Sequence, residues 1–585
     1  MNAGRVTAAA PNRRGRKRRV GTVVAVTVLA VAIVGTLLVA LGAQAIVART
    51  SCASDPVVVT VGVSDDIVPA IRHVSQYFNA QHHDVSGHCA VVKVTSEQSA
   101  TVAAQVSGQK PVGGRAVDAW IPDSSLWADV ARSSPIGAQL VQPTGITVAR
   151  SPLMIVMPRS VAAQMPAFGT KVGWQFLLPE SVGGPATALG LRVEFPDPAR
   201  SSAGLATLIE LQQMLGSGPS ALDNFTKFVF NVQVTSAFES GPSLASLVNL
   251  AKPPRSGHPV TVTSEQAVVQ YDKSHPGQPL SGRYPAQGSF ALDYPYVLTT
   301  SAPLKLRAAE EFEDALRSKY AQSYVRYEGF RSANGAASGW VSRYGLSTAQ
   351  PTLAEPAPPG QAETALQAWS RLGLGSRDLA LLDVSEQMAT PVAADGTTLE
   401  QVLTQVAGLG LSQFPNSTQM GIWAFASHLN GSLPYQELIS VGPMLGEFGL
   451  VTRRQQITQL TQAGQPVAGA PAALYGTILA GYKRMTATYQ PRYANAVLVM
   501  TAGVDNAPGD ISAAALVRDL RKLYNPKRRV EIIALVFGKA GNLPALQQIT
   551  AATGGQAYLI TKPAQVKAVF FSAIARRVCD PNCGN

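Results

Sequence analysis

The stretch VGTVVAVTVLAVAIVGTLLVALGAQAIV, Val20 to Val47, carries no charge, and no other feature restricts the folding of the chain so strongly. At about 1.5 Å per residue, a helix of this length crosses a hydrocarbon core of roughly 30 Å with some tilt. It is long for the apolar core of a secretory signal, which runs to about 7–15 residues. Arg5, Arg13, Arg14, Arg16, Lys17, Arg18 and Arg19 precede it without an acid, and such basic flanks stay in the cytoplasm. The expectation is a cytoplasmic tail over 1–19, one transmembrane helix over 20–47, and the bulk of the chain outside the cell membrane. Cleavage near Ala43–Ala45 is the alternative.

With 585 residues, 46% of them hydrophobic and 14% charged, the chain is too long for a single core. The net charge of +12 is concentrated in the basic tail. No basic face with interleaved aromatics follows, which argues against a nucleic-acid partner. Four cysteines, Cys52, Cys89, Cys579 and Cys583, all lie beyond the apolar run, in a compartment that permits disulfides. Cys52 and Cys89 precede two strand-like runs joined by a helix-like one, and a right-handed crossover brings such strand starts to one sheet edge. Pairs Cys52–Cys89 and Cys579–Cys583 are therefore expected, with free thiols as the alternative.

Beyond residue 52 the chain alternates strand-like and helix-like pieces, the mark of α/β layers. STAQPTLAEPAPPGQAE, Ser347 to Glu363, holds four prolines and reads as a semi-rigid linker over 346–363. It divides a region over 52–345 from one over 364–578, with a tail over 579–585. In the first region the phrases VTVGVSDDIVPAI, VDAWIPDSSLW, SPLMIVMP, FPDPARSSAGLATL, TSEQAV and ALDYPYVL follow one another. Their order resembles an extracellular solute-binding protein, which implies a two-lobed periplasmic-binding-protein-like fold with a ligand cleft.

In the second region the strand candidates are DLALLDVS, MGIWAFA, NAVLVMTAG, RVEIIALVFG and QAYLIT. Helical runs between them predict a doubly wound, Rossmann-like sheet with sites at the strand carboxyl ends. DVSEQM, AALYGTILAGY and ATGGQAYLITKPAQVKAVF resemble a von Willebrand factor type A (VWA) domain. That family holds a divalent cation with an Asp-x-Ser-x-Ser loop, a threonine from a second loop and an aspartate from a third. In this chain the matching positions are Asp383, Ser385, Gln387, Ala472 and Ala502. A methyl group coordinates nothing, and Mg²⁺ needs six oxygens. The resemblance thus implies a degenerate metal site, with Mg²⁺ disfavoured and no other cofactor. Left without the ion, Asp383 would cap the following turn.

Solute-binding proteins often take anions on backbone N–H groups at helix starts backed by hydroxyls. Ser201 and Ser202 stand at such a start, as do Ser64 and Ser99, while Tyr294 occupies a phrase that lines the cleft in the resembled family and Asp123 follows the strand-like VDAWIP. These six are the candidate ligand residues for a small molecule or oxyanion, and ordinary N-capping is the competing reading. No His-Glu-x-x-His, Gly-x-Ser-x-Gly or phosphate loop is present, so no enzyme is expected. The expected function is a membrane-anchored, adhesion-type binding protein of the bacterial surface, its VWA module docking an unidentified protein. The alternative is the substrate-binding receptor of an ABC-type transport system.

Overall fold

The computed structural model describes residues 54–579 apart from 112, 165–171, 186–187, 236–256 and 538–542. The basic tail, the Val20–Val47 run, Cys52 and Cys583 lie outside the described residues, as does the side chain of Cys579. Among the described residues no helix is long and apolar enough to cross a membrane. Cys89 is not a free thiol.

The chain forms two compact units, Met1–Arg150 with Asp293–Gly339, and Ser151–Leu292 with Trp340–Asn585. In the first, β1 (Ser54–Val63), α1 (Val68–Ala80), β2 (His88–Ser96), α2 (Ser99–Val106), β3 (Ala119–Ile121) and α3 (Ser125–Arg132) alternate along the chain. β1 lies between β2 and β3, parallel to both. The antiparallel strand Pro295–Leu298 then pairs with β3 and with Gln142–Thr147. Val59, Val61 and Val63 of β1 are wholly buried and two apart, as a covered sheet face requires. Ile71, Val74 and Phe78 of α1 are buried at helical spacing, so apolar periodicity accounts for this layer.

In the second unit, Ala149–Pro158 pairs with His258–Ser264 and Leu280–Arg283, and His258–Ser264 continues the sheet to Leu191–Glu194. Its helices α4 (Ser202–Leu215) and α5 (Pro219–Thr235) pack on α6 (Gln361–Leu372). The proline-rich segment does not float between modules: Ser289 donates its N–H to the Thr352 carbonyl, and Ala354 donates to that of Ser289. Helix α6 begins inside the expected linker, at Gln361. The 346–363 boundary is therefore a docked strap, because its backbone finds partners on the preceding region.

The remainder builds β4 (Gly375–Asp383), α7 (Leu399–Gln413), β5 (Gln419–Asn430), β6 (Leu433–Pro443), α8 (Arg453–Ala463), α9 (Leu474–Ala487) and β7 (Tyr493–Thr501). It continues with α10 (Ala513–Leu523), β8 (Val530–Phe537), α11 (Leu543–Ala551), β9 (Ala557–Ile560) and α12 (Val566–Cys579). The sheet order is β6-β5-β4-β7-β8-β9, parallel except for the antiparallel edge strand β6. Strand order reverses between β4 and β7, the crevice where doubly wound sheets carry their sites.

Both faces of this sheet are covered. Leu379 and Leu381 face one core with Ile478 and Tyr482 of α9, while Ala380 and Leu382 face the other with Val406 of α7 and Val566 of α12. The second core holds a cavity of about 110 Å³. On its outer side α12 meets α5, where Phe230 makes edge-on contacts with Phe570 and Phe571 at centroid distances of 5.5 and 5.6 Å.

Candidate functional site

Parallel strands point their backbone carbonyls and following loops to one edge, so the residues after β1, β2 and β3 converge there. Ser64 donates its N–H to the Ile121 carbonyl at 3.0 Å, and Glu97 donates to that of Val63 at 2.9 Å. These bonds zip the three loop starts together and bring Ser64, Ser99 and Asp123 to one rim. The Ser99 hydroxyl accepts from the Asp123 N–H at 3.2 Å.

Tyr294 reaches the same rim from a distant stretch of chain. Its N–H donates to the Asp123 carbonyl at 3.4 Å, and its carbonyl accepts from Val148 at 3.0 Å. Its ring is wholly buried, edge-on to Phe330 at 5.1 Å. Its φ is +39°, an uncommon conformation for a bulky residue, which persists only where surrounding contacts hold it.

The Tyr294 hydroxyl donates to Asp66 Oδ2, and the Ser64 hydroxyl donates to Asp66 Oδ1 at 2.8 Å. Burial raises the Asp66 carboxyl above the ordinary carboxylate range, and the two hydroxyl bonds oppose that rise. Burial, and then the nearby carboxyls of Asp66, Asp123 and Asp293, hold the phenol well above its usual range. Asp293 accepts from the Ser125 N–H at 2.8 Å, at the start of α3. Three half-buried acids thus surround one phenol. Asp66 and Asp293 were not singled out from sequence, although both sit in quoted phrases, SDDIVPAI and ALDYPY. The acid beside a hydroxyl or an aromatic was the available signal.

Ser201 and Ser202 belong to the second unit. The Ser201 hydroxyl accepts from the Gly204 N–H at 3.3 Å, so helix start and hydroxyl satisfy each other. Ser202 is 1% exposed. Trp127 lies in the core.

At the β4–β7 crevice, Asp383 is 2% exposed. Its Oδ1 accepts the Ser385 N–H at 3.0 Å. Its Oδ2 accepts the Thr501 hydroxyl at 2.7 Å and the Ala502 N–H at 3.2 Å. Burial raises this carboxyl too, against the pull of those bonds. Gln387 bonds its neighbour Glu386 at 3.4 Å. The Ala472 N–H donates to Asn506 at 2.7 Å.

The start of α9 is closed by two acids. Asp505 Oδ1 accepts from Leu474 at 2.8 Å and from Tyr475 at 3.3 Å, and Asp510 Oδ2 accepts from Gly476 at 3.1 Å. Gly476 permits that approach, since a Cβ there would lie 2.5 Å from Asp510 Oδ1. Burial, and then Asp510, push the Asp505 carboxyl up to about 7. At the positions where the resembled family places its ion, Ala472 and Ala502 offer methyl groups, and Asp383, Asp505 and Asp510 accept hydrogen bonds from protein donors. Among the described residues no group of three or more His, Cys, Asp or Glu side chains is arranged to hold a metal ion.

Residues 59–331 match the family described as bacterial extracellular solute-binding protein. An uncharacterized protein of Mycobacterium tuberculosis strain H37Rv is 23% identical, the match covering 93% of this chain and 81% of that protein. Iron-bound HitA from Pseudomonas aeruginosa aligns with a TM-score of 0.41 and 14% identity, over 55% of this chain and 100% of its own. A von Willebrand factor type A protein from Catenulispora acidiphila aligns with a TM-score of 0.26 and 14% identity, over 35% of this chain and 43% of its own. Over residues 59–331, then, the chain is similar in sequence to bacterial extracellular solute-binding proteins.

Proposed function

We propose that this chain is a surface-held solute receptor: the β1–β3 rim takes a small molecule, and the VWA-like region docks a protein partner without a divalent cation. The match over residues 59–331 supports a binding role. The single observation that carries the ligand class is the Asp66–Tyr294 hydrogen bond with Asp123 and Asp293 beside it. Acceptors and negative charge dominate that rim. It suits a solute rich in hydrogen-bond donors, such as an amine or a polyol, and repels a free oxyanion. On this reading the rim favours the small-molecule arm of the expectation over its oxyanion arm.

Anchoring through Val20–Val47 keeps the receptor at the outer face of the membrane, the arrangement a transport receptor or a sensor needs. No catalytic role is assigned. Calorimetric titration of the purified chain against amines, polyols, amino acids, sulfate and phosphate tests the reading. Saturable binding of a donor-rich solute, weakened about tenfold or more in Tyr294→Phe, is expected. A response to sulfate alone, or one indifferent to Tyr294→Phe, would sink it.

A further inference from the structure

We propose that the cavity in the second core of the VWA-like sheet is a ligand site for a compact apolar molecule, a ring or a chain of about six carbons, bearing one hydrogen-bond donor. Its polar end lies away from the β4–β7 crevice: Ser376, Asp378, Asn495 and Glu531 come from the amino-terminal halves of β4, β7 and β8, joined by Arg577 of α12, while Thr461 of α8 also lines it. The proposal is independent of the solute site built on Tyr294.

Small residues open the space. Ala380 on β4, Gly410 on α7 and Ala573 on α12 line the cavity among Leu382, Met500 and Phe570. These are positions where strand alternation and helical spacing would ordinarily place large apolar side chains. Its volume of about 110 Å³ approaches the roughly 150 Å³ of an apolar cavity that accepts benzene.

One polar atom aims the site at a particular chemistry. Asp378 stands two residues before Ala380, on the same sheet face, and is 6% exposed. Its Oδ2 is buried and has no hydrogen-bond partner, a costly state that a ligand hydroxyl or amine would relieve. The neighbouring charges are committed elsewhere: Arg577 donates to the Leu374 carbonyl at 2.9 Å and to Ser376 at 2.7 Å, and Glu531 pairs with Arg529 at 3.0 Å. Burial pushes the Asp378 carboxyl up to about 7, Arg577 opposing and Glu531 reinforcing. A neutral donor therefore suits it better than a carboxylate ligand, which would meet like charge. Asn495, Glu531 and Arg577 also line a surface recess of about 560 Å³ with Tyr493 and Tyr524, which supplies an approach to the polar end.

Thermal unfolding of the full chain with phenol, 1-hexanol, benzene and hexanoate tests the assignment. Phenol and 1-hexanol should raise the midpoint saturably, benzene less, and hexanoate least. Gly410→Leu fills the space without a backbone clash, since a Cβ there meets only Val566 Cγ2 at 3.6 Å. It should raise the basal midpoint and weaken the apparent affinity for 1-hexanol more than tenfold, and Ala573→Leu should weaken it likewise. Asp378→Val, which removes both side-chain oxygens, should erase the preference of 1-hexanol over benzene, while Tyr294→Phe leaves both responses unchanged. Absence of saturable shifts, equal shifts in the filled variants, or a preference that survives Asp378→Val would overturn the proposal.

Discussion

Two sheets in this chain end a strand near an aspartate, and different groups reach the two carboxylates from distant segments: the Tyr294 hydroxyl at Asp66, the Thr501 hydroxyl and the Ala502 amide at Asp383. Asp66 receives hydroxyls from Ser64 and Tyr294, with Asp123 and Asp293 beside the phenol. Asp383 receives two backbone amides, from Ser385 and Ala502, and one hydroxyl from Thr501. A hydroxyl can swing its proton toward an arriving ligand. An amide cannot turn without moving the chain. Under the proposed reading the hydroxyls on Asp66 turn toward an arriving solute, whereas the amides on Asp383 tie that carboxylate to the fold.

The largest effect expected from this contrast is in Asp383→Ala. It strips three buried donors of their acceptor and should lower unfolding free energy by about 3 kcal/mol, equally with and without Mg²⁺, as read by urea denaturation. A Mg²⁺-dependent stabilisation present in the parent and absent from the variant would break the comparison.

Tyr294→Phe keeps the buried ring and removes only the hydroxyl, so its stability cost should stay near 1 kcal/mol while solute affinity falls. A fold lost outright would make Tyr294 a structural residue like Asp383.

Asp505 sharpens the contrast through pH. Its carboxyl is raised to about 7, so the folded state binds this proton more tightly than the unfolded chain. Its stabilising share is therefore complete below about pH 4 and is lost as pH rises through 7. Asp505→Asn keeps an acceptor for the start of α9 and should gain about 1 kcal/mol at pH 8, with a flatter stability profile between pH 4 and 7. An unchanged profile in denaturation at stepped pH would assign the slope to another group.

The smallest effect is expected from restoring the resembled ion ligands. Ala472→Thr with Ala502→Asp supplies two oxygens but leaves Asp383 engaged by its amides, so calorimetry should detect no more than millimolar Mg²⁺ binding, about 4 kcal/mol. Micromolar binding would mean that those amides yield readily.

Sequence made the doubly wound sheet legible where apolar runs were long. β4, β5, β7, β8 and β9 all coincide with strand candidates, because buried parallel strands are near-continuously apolar. The edge strand β6 escaped notice: LPYQELISVGP buries only Ile439 and Gly442 fully, and its alternation is too broken to read. Helix α8, RRQQITQLTQA, was equally silent, since its buried positions are Arg453, Ile457 and Thr461. At the β1–β3 rim, Ser64, Ser99, Asp123 and Tyr294 were each named from sequence, and the structure brings them together. The shared use of Asp66 by Ser64 and Tyr294 was not, because the tyrosine that completes the set is 228 residues away. The prolines of Ser347–Glu363 signalled a break in secondary structure, but composition does not disclose that a strap's N–H groups have acceptors on another segment.

The edge-on rings between α5 and α12 bear on how the protein can be taken apart. Phe230 belongs to the stretch that precedes the strap, Phe570 and Phe571 to the last helix. Scissors applied at the prolines would leave each fragment wearing half of a largely covered oily seam, and each would tend to clump. Anyone wishing to study either half alone should carry the final helix along with the solute-binding portion, or polish both sides of the seam before cutting.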